Sequence, residues 1–331
     1  MLIKIFSIVS LILFPSLVYS KNLNIVATIK PIQSIIQNIV GDQNQVDLLV
    51  TKSSSPHFYT LKPSDLKKIH TANLIFFIDE HFEIFLSKFI ENKQYKNKFI
   101  NLSNNKALTL YKNRDSKFWQ EIASTTSNKH HHSHHDHDHD HKLDHSHEHE
   151  DHHIHNSDET DFHIWLDTHN VKIMAEQIFH SLVNIDPKNK DTYANNLQIF
   201  LNKLEVLEAK IAKNLINLKD KKFIVFHDAY QYLDRKYNLS PAGVVLMNPM
   251  HKSTIKELSS LINKIKSENI SCLFSEPQFN QAIIDLIIKN TKINTAVLDA
   301  EWGIDNDNIS TNEAYFYMID KIIFNMNKCL N

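Results

Sequence analysis

The chain has 331 residues, of which 42% are apolar and 22% charged, so a packed core is expected and the length fits two domains of ordinary size. Thirty-six Lys and Arg stand against 38 Asp and Glu, a formal net charge of −2 with His neutral, which argues against a nucleic-acid binder. The only three glycines are Gly41, Gly243 and Gly303, so neither the G-x-G-x-x-G dinucleotide fingerprint nor a P-loop can be assembled.

In chain order the first element is an address. Lys4 gives a positive start, Ile5 to Val18 is apolar apart from three Ser and Pro15, and Val18-Tyr19-Ser20 precedes Lys21. This is the pattern of a signal peptide cut after Ser20. The apolar run is roughly 14 residues against about 20 for a span. Export to a bacterial periplasm is expected, with no stable membrane insertion and, lacking a Cys near the cut, no lipid anchor.

From residue 21 the patterning alternates. Strands are expected at 23–29, 46–50, 74–78 and 98–102, and helices at 32–40, 63–72 and 81–91. Pro31 opens the first helix and Gly41 closes it. The stretch 124–161 breaks the pattern. Fourteen of the 22 His lie between His130 and His155, among acids and Ser, with almost no apolar residue except Leu143 and Ile154. Such a composition cannot bury itself and predicts a disordered His-rich insert. Order resumes at Phe162 to Leu166, with a helix near 170–182. Pro187 then opens a helical run to about Leu218, whose Leu197, Phe200, Leu201, Leu204, Leu207, Ile211, Leu215 and Leu218 form one apolar stripe. At 1.5 Å per residue it would reach roughly 45 Å, the length of a rigid connector. Strands at 223–226, 244–246, 270–274 and 296–298, with helices at 230–237, 253–268, 280–292 and 313–330, repeat the alternation. The expected fold class is α/β: two lobes with mostly parallel sheets, 21–186 and 220–331, joined by one long helix over 187–219.

Ligand sites in parallel sheets gather where strands finish. His57, His163, His227 and Asp299 all fall beside expected strand ends or just after them. Singly, each has an ordinary explanation: a strand-end His is usually a surface or hydrogen-bonded group, and Asp299 could cap a helix. Together, three neutral imidazoles with an oxygen in fourth place make a tetrahedral Zn²⁺ site. Asp228, after His227, could orient an imidazole or cap the next helix, and the cap is the preferred reading. Glu276 is read as a structural hydrogen-bonding group rather than a metal contact. Cys272 and Cys329 are the only cysteines; an even number in an exported chain argues for a disulfide, the alternative being two buried thiols.

Four segments carry a family resemblance. Val225-Phe226-His227-Asp228-Ala229-Tyr230 resembles the second-domain metal motif of the ZnuA-type zinc-binding proteins of ABC transporters. Pro56-His57-Phe58-Tyr59-Thr60-Leu61-Lys62-Pro63-Ser64-Asp65 resembles their first-domain motif, and His163-Ile164-Trp165-Leu166-Asp167 and Phe274-Ser275-Glu276-Pro277-Gln278-Phe279 resemble two further ones. The motifs keep the family order, and a His/Asp-rich insert is a feature of the zinc-specific branch. The resemblance implies zinc ligands at His57, His163 and His227. Asp299 falls where manganese-binding relatives place a carboxylate. Some zinc members carry a Glu ligand just before the first His; Pro56 stands there in this chain. The resemblance further implies a Cys272–Cys329 bond, two lobes with the metal between them, and capture of Zn²⁺ for delivery to an ABC permease and its ATPase, without catalysis and as a monomer. Binding to neutral imidazoles should weaken below pH roughly 6 to 6.5.

Three other readings compete. His149-Glu150-x-x-His153 matches a zinc-hydrolase motif, but chance matches are expected where His and acids fill most positions. A manganese-binding protein of the same fold would favour carboxylate oxygens over three imidazoles. A nonspecific metal buffer acting through the His tract alone would leave the strand-end His residues unexplained.

Overall fold

The computed structural model describes residues 23–51, 54–114, 119, 160–247, 249, 253–303 and 308–331. The expected signal peptide, the His tract and the His149–His153 motif lie outside the described residues.

The first half builds β1 (Ile25–Ala27), α1 (Lys30–Val40), β2 (Val46–Leu48), α2 (Pro63–Thr71), β3 (Leu74–Phe77), α3 (Ser87–Ile90) and β4 (Phe99–Asn101). All pairings are parallel in the order β2-β1-β3-β4, with Ile25 opposite both Val46 and Leu74. β1 and β3 are buried along their whole length, as expected for central parallel strands covered on both faces. α1 buries Ile32, Ile35, Ile36 and Ile39 and ends at Gly41, whose φ of 68° is a conformation that L side chains rarely adopt.

The stretch 81–91 differs from expectation, forming a turn, a short 3-10 segment at Ile84–Leu86 and only four residues of α3. Side chains take the local amides instead: Glu83 accepts from the N–H groups of Ile78 and Asp79 at 2.7 and 3.1 Å, and Asp79 accepts from that of His81 at 3.0 Å. The two Glu83 bonds fold the chain back onto the residues that follow β3.

A two-stranded antiparallel ribbon follows, β5 (Tyr111–Lys112) with β6 (Thr160–Asp161), so the last two residues assigned to the insert are already paired. α4 (Thr168–Ile185) and α5 (Lys190–Leu215) come next. α5 buries Tyr193, Phe200, Leu204, Leu207, Ile211 and Leu215 and has 3-10 turns at both ends. Its expected apolar stripe lies against α1 and α4, and also against the last helix.

The second half contains β7 (Lys222–His227), α6 (Gln231–Tyr237), β8 (Ser240–Leu246), α7 (Ile255–Ser267), β9 (Cys272–Ser275), α8 (Gln281–Thr291), β10 (Asn294–Val297) and α9 (Ala314–Leu330). The sheet is again parallel, ordered β10-β9-β7-β8. A Cys272–Cys329 disulfide, with Cα atoms 5.8 Å apart, ties β9 to α9.

One hydrophobic cluster runs through both halves, from Ile25 and Ile35 through Trp165 and Phe200 to Phe223, Phe274 and Tyr315. Hydrogen bonds cross with it. Trp165 Nε1 donates to the carbonyl of Ala300 at 2.9 Å, the Tyr315 hydroxyl to that of Trp165 at 3.0 Å, and the Tyr315 N–H to Ser34 Oγ at 3.0 Å. The ribbon is fastened to α6: Gln231 Nε2 donates to the carbonyl of Lys112 at 3.0 Å and the Tyr232 hydroxyl to that of Asp161 at 2.6 Å.

Candidate metal centre

His57 sits in a 3-10 turn, Pro56–Phe58, after β2; Pro56 fixes its start and Ser55 Oγ accepts the His57 N–H at 3.4 Å. His163 immediately precedes the turn Ile164–Leu166, just past β6. His227 is the last residue of β7. These three converge with Glu301, from the loop after β10, and each of the four offers one ligand atom within 4.8 Å of the others. His163, His227 and Glu301 are buried and His57 nearly so.

Two of the six ligand-to-ligand distances have the length of a tetrahedral edge. A tetrahedron with ligand bonds of about 2.0–2.1 Å has edges of about 3.3 Å. His163 Nε2 and His227 Nε2 lie 3.3 Å apart, and His57 Nε2 and Glu301 Oε1 lie 3.5 Å apart. Both Glu301 oxygens and His57 Nε2 are buried without a hydrogen-bond partner, a costly state that a shared cation relieves.

Two imidazoles are aimed by carboxylates. Asp161 Oδ1 accepts the His163 N–H at 3.0 Å and lies 2.8 Å from Nδ1; Glu276 Oε1 accepts the His227 N–H at 3.2 Å and lies 2.7 Å from Nδ1. Holding the Nδ1 proton leaves Nε2 as the donor. Burial would lower the pKa of His227, but the charge and hydrogen bond of Glu276, then Glu301 and Asp228, raise it to about 9. Burial raises Glu301 to about 8, assisted by Glu276 and Asp299 and opposed by His227 and Ser55. His57 moves the other way, well below the usual value, through burial and then the charges of His163 and His227. Phe82 packs edge-on to His57 at 4.8 Å, and Phe279 lies 5.2 Å from His227, so the walls are apolar.

Asp299, the expected fourth group, stands outside this set. It accepts from Gln278 Nε2 at 2.9 Å and from the Gly303 N–H at 2.8 Å, and so shapes the loop that carries Glu301. Sequence reading missed Glu301, two residues further on. Its signal was an acid framed by Ala300 and Trp302 just past a strand; its direction depends on a backbone that places Trp302 at φ 65°. Asp228 does not cap α6, whose N-cap Tyr230 makes no side-chain cap bond. It pairs instead with buried Arg114, which also holds Asp234 at 2.9 Å, because an isolated buried guanidinium would be costly. Glu276 takes the hydrogen-bonding role expected of it.

Three imidazoles and one carboxylate around a buried, apolar-walled centre can hold one divalent cation of borderline softness, and two α/β halves built around such a centre define a metal-binding α/β protein. Comparison with known proteins agrees. Residues 25–329 match the family described as zinc-uptake complex component A, periplasmic, and the chain belongs to this ZnuA family. It is 36% identical over 276 residues to the high-affinity zinc uptake system protein ZnuA of Brucella abortus, covering 83% of each chain. With the protein of that name from Haemophilus influenzae it shares 35% over 298 residues, 84% of this chain and 85% of the relative. A crystal structure of ZnuA superposes with a TM-score of 0.71 over 94% of this chain and 100% of that one; at 23% identity this likeness concerns the fold.

Proposed function

We propose that this protein captures Zn²⁺ outside the cytoplasmic membrane and delivers it to an ABC permease, powered by its ATPase, for import. The observation that carries this reading is the convergence of His57, His163, His227 and Glu301, one ligand atom each within 4.8 Å of the others, with carboxylates behind two of the rings. Three nitrogen donors favour Zn²⁺ over Mn²⁺. Capture needs no chemistry on the ion, and the protein acts as a monomer divided into lobes 21–186 and 220–331 with 187–219 between them. Residues 1–20 are its export signal, removed after Ser20. Among the described residues no helix is long and apolar enough to cross a membrane.

Calorimetric titration of the zinc-free chain against a competing chelator tests the site. We expect one tight equivalent, lost in H57A, H163A and H227A and weakened in E301Q, with D299N close to wild type. Wild-type affinity in all three His variants overturns the assignment; loss in D299N but not in E301Q exchanges the roles of the two acids.

A further inference from the structure

We propose that Gly303 and Gln278 are positioning residues for the fourth zinc ligand: their contact seats the loop that carries Glu301 against the turn that aims His227. The inference rests on the zinc-capture reading above. Glu301 lies between Asp299 and Gly303, in the loop after β10, and the turn is 276–279, after β9. At Gly303 the two segments meet too closely for a side chain. A Cβ at this position would stand 2.6 Å from Gln278 Nε2, 2.7 Å from its Cδ and 2.8 Å from Pro277 Cγ. Only glycine allows such an approach.

Neither neighbour is free to give way. Asp299 Oδ1 accepts from Gln278 Nε2 at 2.9 Å and from the Gly303 N–H at 2.8 Å, so one oxygen pins both sides of the contact. The Pro277 ring has no rotamer by which to leave. The Leu298 N–H donates to the carbonyl of Ser275 at 2.9 Å and fastens the same two segments at their start. Gln278 Oε1 is buried without a hydrogen-bond partner, so the place of this side chain is set by Asp299 and Gly303 rather than by its own bonding needs. Between Glu301 and Gly303, Trp302 is held at φ 65°, with Tyr317 at 5.7 Å and the Lys30 ammonium 5.9 Å over its ring. A bulky residue in this region is strained, and such strain persists only where the surroundings enforce it.

The junction bears on two ligands at once. From the turn, Glu276 Oε1 lies 2.7 Å from His227 Nδ1, and the Phe279 ring lies 5.2 Å from that of His227. From the loop comes Glu301, whose two oxygens are buried without a hydrogen-bond partner, so its aim comes mainly from the backbone that carries it. In G303A the loop has to move off the turn by several tenths of an ångström to relieve the contact with Pro277. That is comparable with the tolerance of about 0.5 Å within which binding groups must be held.

The test is titration of the full-length zinc-free chain with Zn²⁺ against a competing chelator, in wild type, G303A, E301A and the double variant. Residues that orient a metal ligand typically contribute about 10- to 100-fold to affinity, and G303A should weaken the tight equivalent within this range. Because Gly303 acts through Glu301, the double variant should bind no more weakly than E301A. Co²⁺ bound to G303A, whose visible absorption reports its donors, should move toward the E301A spectrum. Q278M, of nearly the same size but without the bond to Asp299, should show a smaller loss, again absent in the E301A background, and it decides the matter if G303A does not fold. Wild-type affinity in G303A, or in Q278M where G303A does not fold, overturns the proposal. So does a wild-type Co²⁺ spectrum, or a loss of equal size in the E301A background, which would make the contact one of general packing. Absence of a tight equivalent in the wild type overturns zinc capture and this role with it, whereas a wild-type equivalent left unchanged in G303A removes only the positioning role.

Discussion

His227 and Glu301 face the same space, and each resists the charge state that a metal needs. His227 is lifted to about 9 and Glu301 to about 8, each in part by the other's charge, so at pH 7 the zinc-free pair retains at least one proton. Zinc takes the deprotonated imidazole and the carboxylate. Binding therefore expels protons, and affinity rises with pH through 7 until about 9, where these groups are already deprotonated. This places the pH dependence above the window of ordinary imidazoles, roughly 6 to 6.5. Calorimetry at pH 7 in buffers of different ionisation enthalpy should give binding enthalpies that differ by the number of protons released; identical enthalpies would contradict it. His57 and His227 were legible at this scale because a ligand's position at a strand end follows from the alternation of strands and helices, whereas His163, past the ribbon strand β6, was legible through its motif. Glu301 was not, because its aim follows from Asp299 accepting the Gly303 N–H and from Trp302 at φ 65°, neither of which leaves a periodic trace.

Among the elements, β9 and α9 are joined by the Cys272–Cys329 bond, which closes a loop of 57 residues. In the chain-entropy account this restricts the unfolded state by about 4 kcal/mol. Reduction should lower the denaturant midpoint of the zinc-free protein accordingly while leaving the tight zinc equivalent, since Cys272 begins β9 whereas Glu276 follows its far end. An unmoved midpoint, with free thiols verified by alkylation, would refute the stabilising role. Most elements could be read from the sequence because buried runs such as Leu74–Phe77 and stripes such as Phe200, Leu204, Leu207 and Ile211 repeat at the proper period. The stretch 81–91 could not. Its Phe82, Phe85 and Phe89 suggest a helix, but Glu83 turns back to accept from the N–H groups of Ile78 and Asp79 and only Ser87–Ile90 is helical.

For the molecule as a whole, the common core is the governing feature. Trp165 reaches the carbonyl of Ala300, Tyr315 reaches Trp165 and Ser34, and α5 lies against helices of both halves. Separating the halves would expose this shared packing. Thermal unfolding of the zinc-free chain should accordingly be one cooperative transition, seen alike by far-ultraviolet dichroism and tryptophan fluorescence. Two resolved transitions would show that the halves are energetically independent. The long helix between the two sheets is legible in 187–219, whereas its partners are not, because a stripe reveals that a helix is covered but not by what.

The ribbon has a separate consequence. Tyr111 pairs with Asp161 and Lys112 with Thr160, so the two ends of the intervening sequence are clamped side by side on α6. Closing a loop between fixed ends costs only about 0.6 kcal/mol more for each doubling of its length. The number of histidines there can therefore drift, expand or contract over generations at little thermodynamic cost, while the pocket geometry is inherited unchanged. The ribbon is a natural splice point, at which the length and composition of the intervening sequence can change independently of the metal centre.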